Sequence, residues 1–66
     1  MNVTKHETIE VNNADDIVRV RQTVRTWATN LGFGLVDQTK IVTATSELAR
    51  NMVLAAGNGI VVLEVL

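Results

Sequence analysis

Glu47 and Asn51 are the residues of this 66-residue sequence whose types and spacing best suit chemistry. They stand four apart in DQTKIVTATSELARNMVLAA, the stretch from Asp37 to Ala56. On a helix, that spacing puts a carboxylate and a carboxamide one turn apart, where they can address one ligand together. Lys40 and Thr43 fall in line with them as a polar stripe, beside an apolar face of Ile41, Ala44, Leu48, Met52 and Ala55. Arg50 is one step off the stripe, placed to contact a phosphate, a partner or only water. Spacing alone does not separate a site from a solvated face, because E-x-x-x-N is common on exposed helices.

The elements that must hold this stripe can be read on either side of it. Asp37 is a candidate N-cap for the helix, and Gly57-Asn58-Gly59 supplies the residues that a helix C-terminus and a sharp reversal need. Upstream, HETIEV (6–11) alternates as a half-buried strand with Ile9 and Val11 inward. Asn12-Asn13-Ala14-Asp15-Asp16 offers caps and first-turn carboxylates for an earlier helix. That helix carries an apolar face of Ile17, Val20, Val24, Trp27 or Ala28, and Leu31, with Arg19, Gln22, Thr26 and Thr29 facing water. Leu31-Gly32-Phe33-Gly34 forms the hinge, and GIVVLEVL after Asn58 forms a strand apolar on both faces. The expected fold is α+β, with two helices packed on one face of a short antiparallel strand pair.

Composition narrows the function classes. Apolar residues are 47% of the chain, and with no cysteine there is neither a disulfide framework nor a Cys/His zinc cluster. Six basic against seven acidic residues provide no broad positive field, which argues against a nucleic-acid partner. No apolar run approaches the ~20 residues of a membrane span, and MNVTKHETIE lacks the basic-then-apolar pattern of a signal peptide. The expected setting is the cytoplasm.

The order strand, helix, glycine hinge, helix carrying S-E-L-A-R-N, A-G-N-G and apolar strand resembles the N-terminal half of the Bergerat-fold (GHKL) ATP-binding superfamily, which includes gyrase, the histidine kinases and the anti-sigma serine kinases. From Leu31 to Gly59 the sequence is similar to the stress-switch serine/threonine kinases of that superfamily. The resemblance implies that Glu47 is a general base and that Asn51 completes the coordination of a Mg²⁺ held by the ATP phosphates. It implies Mg-ATP as cofactor of the complete domain, a serine of a STAS-domain antagonist protein as substrate, and a downstream phosphatase as a further partner. The family's D-x-G-x-G segment, whose aspartate reads adenine, and its glycine-rich phosphate lid have no counterpart among the 66 residues. Residues 1–66 are therefore expected to be a partial kinase domain that carries half a nucleotide site and binds no nucleotide alone. The doubly apolar last strand leads to an expectation of self-association.

Other residues have plainer roles. His6 is expected to be an exposed strand residue, and Trp27 a packing residue of the first helix. Arg19, Arg21 and Arg25 form a basic edge on that helix, either solvated or a docking surface for a protein partner. Two rivals to the kinase follow. One is a binding module that docks partners through the first helix. The other is a helix-pair scaffold with Glu47 and Asn51 merely solvated.

Overall fold

The computed structural model describes residues 5–65. Strand β1 (Lys5–Val11) leads into helix α1 (Ala14–Asn30), then helix α2 (Leu35–Ala56), and the chain returns as strand β2 (Gly59–Val65). The strands pair antiparallel in register, with Ile9 opposite Val61 and Val11 opposite Gly59. Both helices pack on one face of this pair, giving the α+β architecture expected. No helix among the described residues is long and apolar enough to cross a membrane.

Local chemistry accounts for the ends of each helix. Asn13 caps α1, its side-chain oxygen accepting from the Asp16 amide at 3.1 Å, while an Asp16 carboxylate oxygen accepts from the Asn12 amide at 2.8 Å. The first bond satisfies a donor that the first turn leaves free, and the second ties the residue before the cap to the helix. Just past its C-cap Leu31 the chain reverses at Gly32, whose φ of 81° is the left-handed conformation that glycine adopts without steric cost. The Gly32 amide donates to Thr29 and the Phe33 amide to Ala28, the double closure of a Schellman motif. Helix α2 closes on Gly57 at φ 80°, its amide donating to the Val53 carbonyl.

Two expectations at the hinge are corrected. Gly34, not Asp37, is the N-cap of α2, and Asp37 lies in the first turn. Gly34 has no side chain to cap with, and instead Gln38 secures the turn by donating from its amide nitrogen to the Phe33 carbonyl at 2.9 Å. Leu31 is 49% exposed, because it is the C-cap and the chain turns away there before another helical turn can carry it inward.

The core comprises Ile9, Val11, Ile17, Val20, Val24, Val42 and Ala49, with Met52, Val53, Val61 and Leu63 packed against it. The inward face of β1 agrees with the sequence pattern, as does that of α1 up to Ala28, with Leu31 the exception. That of α2 does not: Val42 and Ala49 are buried, whereas Leu48 is 64% exposed, Ile41 39%, and Ala44 and Ala55 are also exposed. Of the expected face only Met52 contributes. Apolar residues ring this helix, from Leu35, Val36 and Ile41 to Leu48, Val53 and Leu54, so periodicity defines no single stripe. Small Ala49 turned inward lets α2 approach closely, a choice that packing makes.

Trp27 is buried, as expected, but also bonds across elements. Its indole nitrogen donates to a Glu7 carboxylate oxygen at 3.1 Å, and the Lys5 ammonium lies 4.6 Å from the ring centroid. On the other face of the sheet Ile60 and Val62 are exposed beside Thr8 and Glu10.

The close approach of α2 to β2 is testable. A methyl group added at Gly59 would lie 2.8 Å from Met52 Cβ, an atom fixed to the helix backbone. Gly59→Ala is expected to lower the unfolding free energy by about 1–3 kcal/mol in urea titrations, as is Ala49→Leu by overpacking. Gly34→Ser, whose Cβ meets nothing within 4 Å, adds a capping hydroxyl and raises stability by a few tenths of a kcal/mol.

Candidate functional site

Since Val42 and Ala49 face the core, the opposite side of α2 faces outward. At ~100° per residue, Glu47 lies roughly 140° and Asn51 roughly 180° around the helix from Val42. Lys40, Thr43, Glu47 and Asn51 are accordingly all exposed. The stripe exists, with Glu47 and Asn51 one turn apart, and it is presented whole to the surroundings.

The structure adds something that spacing on one helix could not show. The short hinge folds α1 and α2 into a hairpin, and a groove of about 270 Å³ opens between them. Arg21 and Arg25 line it from α1, and Thr43, Ser46, Glu47 and Arg50 from α2. Glu47 and Arg50 thus share a concavity with two guanidinium groups of the other helix, while Asn51 lies outside it on the exposed crest. Arg19 does not line the groove. It is two residues from Arg21, and helix residues at that spacing point to different sides. The basic edge of α1 therefore splits, and only the i,i+4 pair Arg21 and Arg25 reaches α2. That spacing was the available signal in the sequence; which residues of α2 it would meet was not.

Hydrogen bonds decide what the groove offers a ligand. The Ser46 hydroxyl donates to the Val42 carbonyl at 2.7 Å and that of Thr39 to the Leu35 carbonyl at 3.0 Å. With those protons engaged in the helix, the donors at the groove come chiefly from the guanidinium groups, which suit carboxylate or phosphate oxygens. Among the described residues no group of three His, Cys, Asp or Glu side chains could hold a metal ion. His6 is an exposed strand residue whose ring nitrogen Nε2 lies 3.2 Å from the Thr8 hydroxyl.

Comparison with known proteins bears on this helix pair. Over 44 residues the sequence is 61% identical to the serine/threonine-protein kinase RsbT of Bacillus subtilis. The chain carries an RsbT-like segment. The match takes in 67% of this chain and 33% of RsbT, so the chain spans about a third of the length of the relative it matches. No family model and no solved structure matches. The RsbT-like segment is long enough to require more than one of the four elements, and it sits in a fold whose outward-facing polar stripe plays no part in the core.

This separation of stripe and core has a measurable consequence. Glu47→Gln and Asn51→Ala, at exposed positions, are expected to change the unfolding free energy by no more than about 0.5 kcal/mol. A larger loss in a urea titration would show that these side chains hold the fold together.

Proposed function

We propose that this chain is the N-terminal portion of an ATP-dependent protein serine kinase of the stress-switch, anti-sigma type. In this proposal it works in the bacterial cytoplasm, phosphorylates a serine of a STAS-domain antagonist, and is thereby released to a downstream phosphatase. The observation that carries the proposal is the 61% identity to RsbT over 44 residues. The joint exposure of Glu47 and Asn51 on α2 supports it.

Glu47 acts as the general base. Its carboxylate accepts the proton of the substrate serine as the serine oxygen bonds to the γ-phosphorus and the bond from that phosphorus to the ADP oxygen breaks. Mg-ATP, when bound, supplies the phosphoryl group and a cation that neutralises its developing charge. The donor set on α2 fits such a cation: Asn51 presents one exposed neutral amide oxygen, and Mg²⁺ takes few protein ligands when phosphates and water complete its shell. Arg50 contacts a phosphate oxygen from the groove side. The adenine-reading aspartate and the phosphate lid belong to the remainder of a complete domain of this superfamily.

The test uses a protein of RsbT's length carrying this segment. Glu47→Gln is expected to lower phosphoryl transfer by about 10²–10⁴-fold while the affinity for ATP stays nearly unchanged, since base catalysis acts on the acceptor. Asn51→Ala instead weakens Mg-dependent nucleotide binding, read by calorimetry. Full transfer activity in Glu47→Gln would remove the base assignment.

A second reading, a docking module with no nucleotide role, is favoured by one observation, the exposure of Arg21 and Arg25 along α1. It predicts partner binding that Mg-ATP leaves unchanged. Exposed Ile60 and Val62 support a further proposal, that the 66-residue chain associates with itself through β2. A folded monomer in sedimentation at high protein concentration would count against it.

A further inference from the structure

We propose that Asn58 is a site of spontaneous deamidation, where water alone converts the side-chain amide to a carboxylate and so loosens the joint between α2 and β2. The proposal is independent of the kinase reading. Asn58 is exposed and lies between Gly57, the left-handed residue that closes α2, and Gly59, the first residue of β2. Of the asparagines in the sequence it alone precedes a glycine. That neighbour matters because the reaction begins when the next residue's backbone nitrogen bonds to the side-chain carbonyl carbon, and glycine puts no Cβ in the way. Other asparagines are held in place. Asn30 and Asn51 lie within helices, and the Asn13 side-chain oxygen is engaged as the cap of α1. Gly59, by contrast, pairs with Val11 at the very end of the strand ladder, so only that end need open to free its nitrogen.

In the first step the Gly59 nitrogen gives its proton to solvent and bonds to Asn58 Cγ, while the Cγ–N bond of the side-chain amide breaks and its nitrogen leaves as ammonia. The cyclic imide then takes up water. Addition at Cγ breaks the bond to the Gly59 nitrogen and leaves an aspartyl residue. Addition at the backbone carbonyl instead leaves an isoaspartyl residue, in which the chain runs through the side chain. Either product puts a negative charge one residue beyond the C-cap of α2, at the negative end of the helix dipole, in a hollow that Glu10 also lines. The isoaspartyl form also adds a methylene to the backbone just before Gly59. There the packing is so close that an added methyl would lie 2.5 Å from Met52 Sδ and 2.8 Å from Met52 Cβ. With the chain lengthened at that point, β2 gives up either its register with β1 or its seat against Met52.

The test follows the 66-residue chain in mildly alkaline buffer by intact mass and peptide mapping. Asn58 is expected to convert first, yielding both aspartyl and isoaspartyl products, while Asn30 and Asn51 keep their amides; Asn58→Gln removes the early mass change. A free peptide of the sequence Ala55 to Val61 serves as the reference. Conversion in the folded chain stays within about tenfold of the peptide's rate, because only the end of the sheet opens. Slowing by as much as the folding equilibrium constant, measured in urea, would show that the reaction needs the unfolded chain and overturns the proposal. So would conversion that begins at another asparagine. The consequence is read separately. Asn58→Asp, which supplies the charge without the backbone change, is expected to lower the folding equilibrium constant about two- to fivefold at low salt. The isolated isoaspartyl product lowers it further. An isoaspartyl chain as stable as the parent overturns the claim that the joint is loosened.

Discussion

The burial of Ala49 is the constraint from which the rest of the molecule follows. This residue is fully buried between α2 and the elements it packs on, with Val42 buried two turns before it and Val53 packed against the core one turn after. A methyl group there lets α2 lie close, and close packing of Met52 against Gly59 then sets where β2 begins. A helix with that side inward must turn its opposite side outward. The same rotation that completes the core thus delivers Glu47 and Asn51 to the surface.

The chain closes on itself through its two strands. Antiparallel pairing of β1 and β2 joins segments from opposite ends of the sequence, which leaves the helical hairpin as the connection between them. An isolated strand pair is marginal in water, so its stability depends on the helices covering its inner face. Trp27 reinforces that cover by bonding to Glu7 of β1 while Lys5 stacks on its ring. The outer face has no such cover among the described residues, and Ile60 and Val62 stand exposed there.

Charge is arranged by the tertiary fold more than by composition. The chain as a whole is close to neutral, with six basic and seven acidic side chains. Packing α1 against α2 nevertheless gathers Arg21, Arg25 and Arg50 around one groove. A net charge near zero therefore coexists with a local cationic concavity. A local concentration of this kind acts at short range, unlike the wide field that nucleic-acid binding uses.

The element order, both ends of α1, the inward face of β1, that of α1 as far as Ala28, and the left-handed glycine closing α2 were legible in the sequence. Each of these rests on local rules: alternation in a strand, a strong apolar stripe, a capping asparagine, a glycine that accepts positive φ. The polar character of the stripe through Glu47 and Asn51 was legible for the same reason, since i,i+4 spacing survives any rotation of the helix. The rotation of α2 was decided only in three dimensions. Its apolar residues run round the whole helix, so contact with α1 and β2 selected Val42 and Ala49 over Ile41 and Leu48, favouring the small side chain that permits close approach. The start of α2 at Gly34 rather than Asp37 is a local matter, set by the bond from Gln38 to the Phe33 carbonyl and the Schellman closure of α1, which the capping preference of aspartate did not reveal. The meeting of Arg21 and Arg25 with Glu47 and Arg50 is likewise tertiary, because residues more than twenty positions apart become neighbours only when two helices pack.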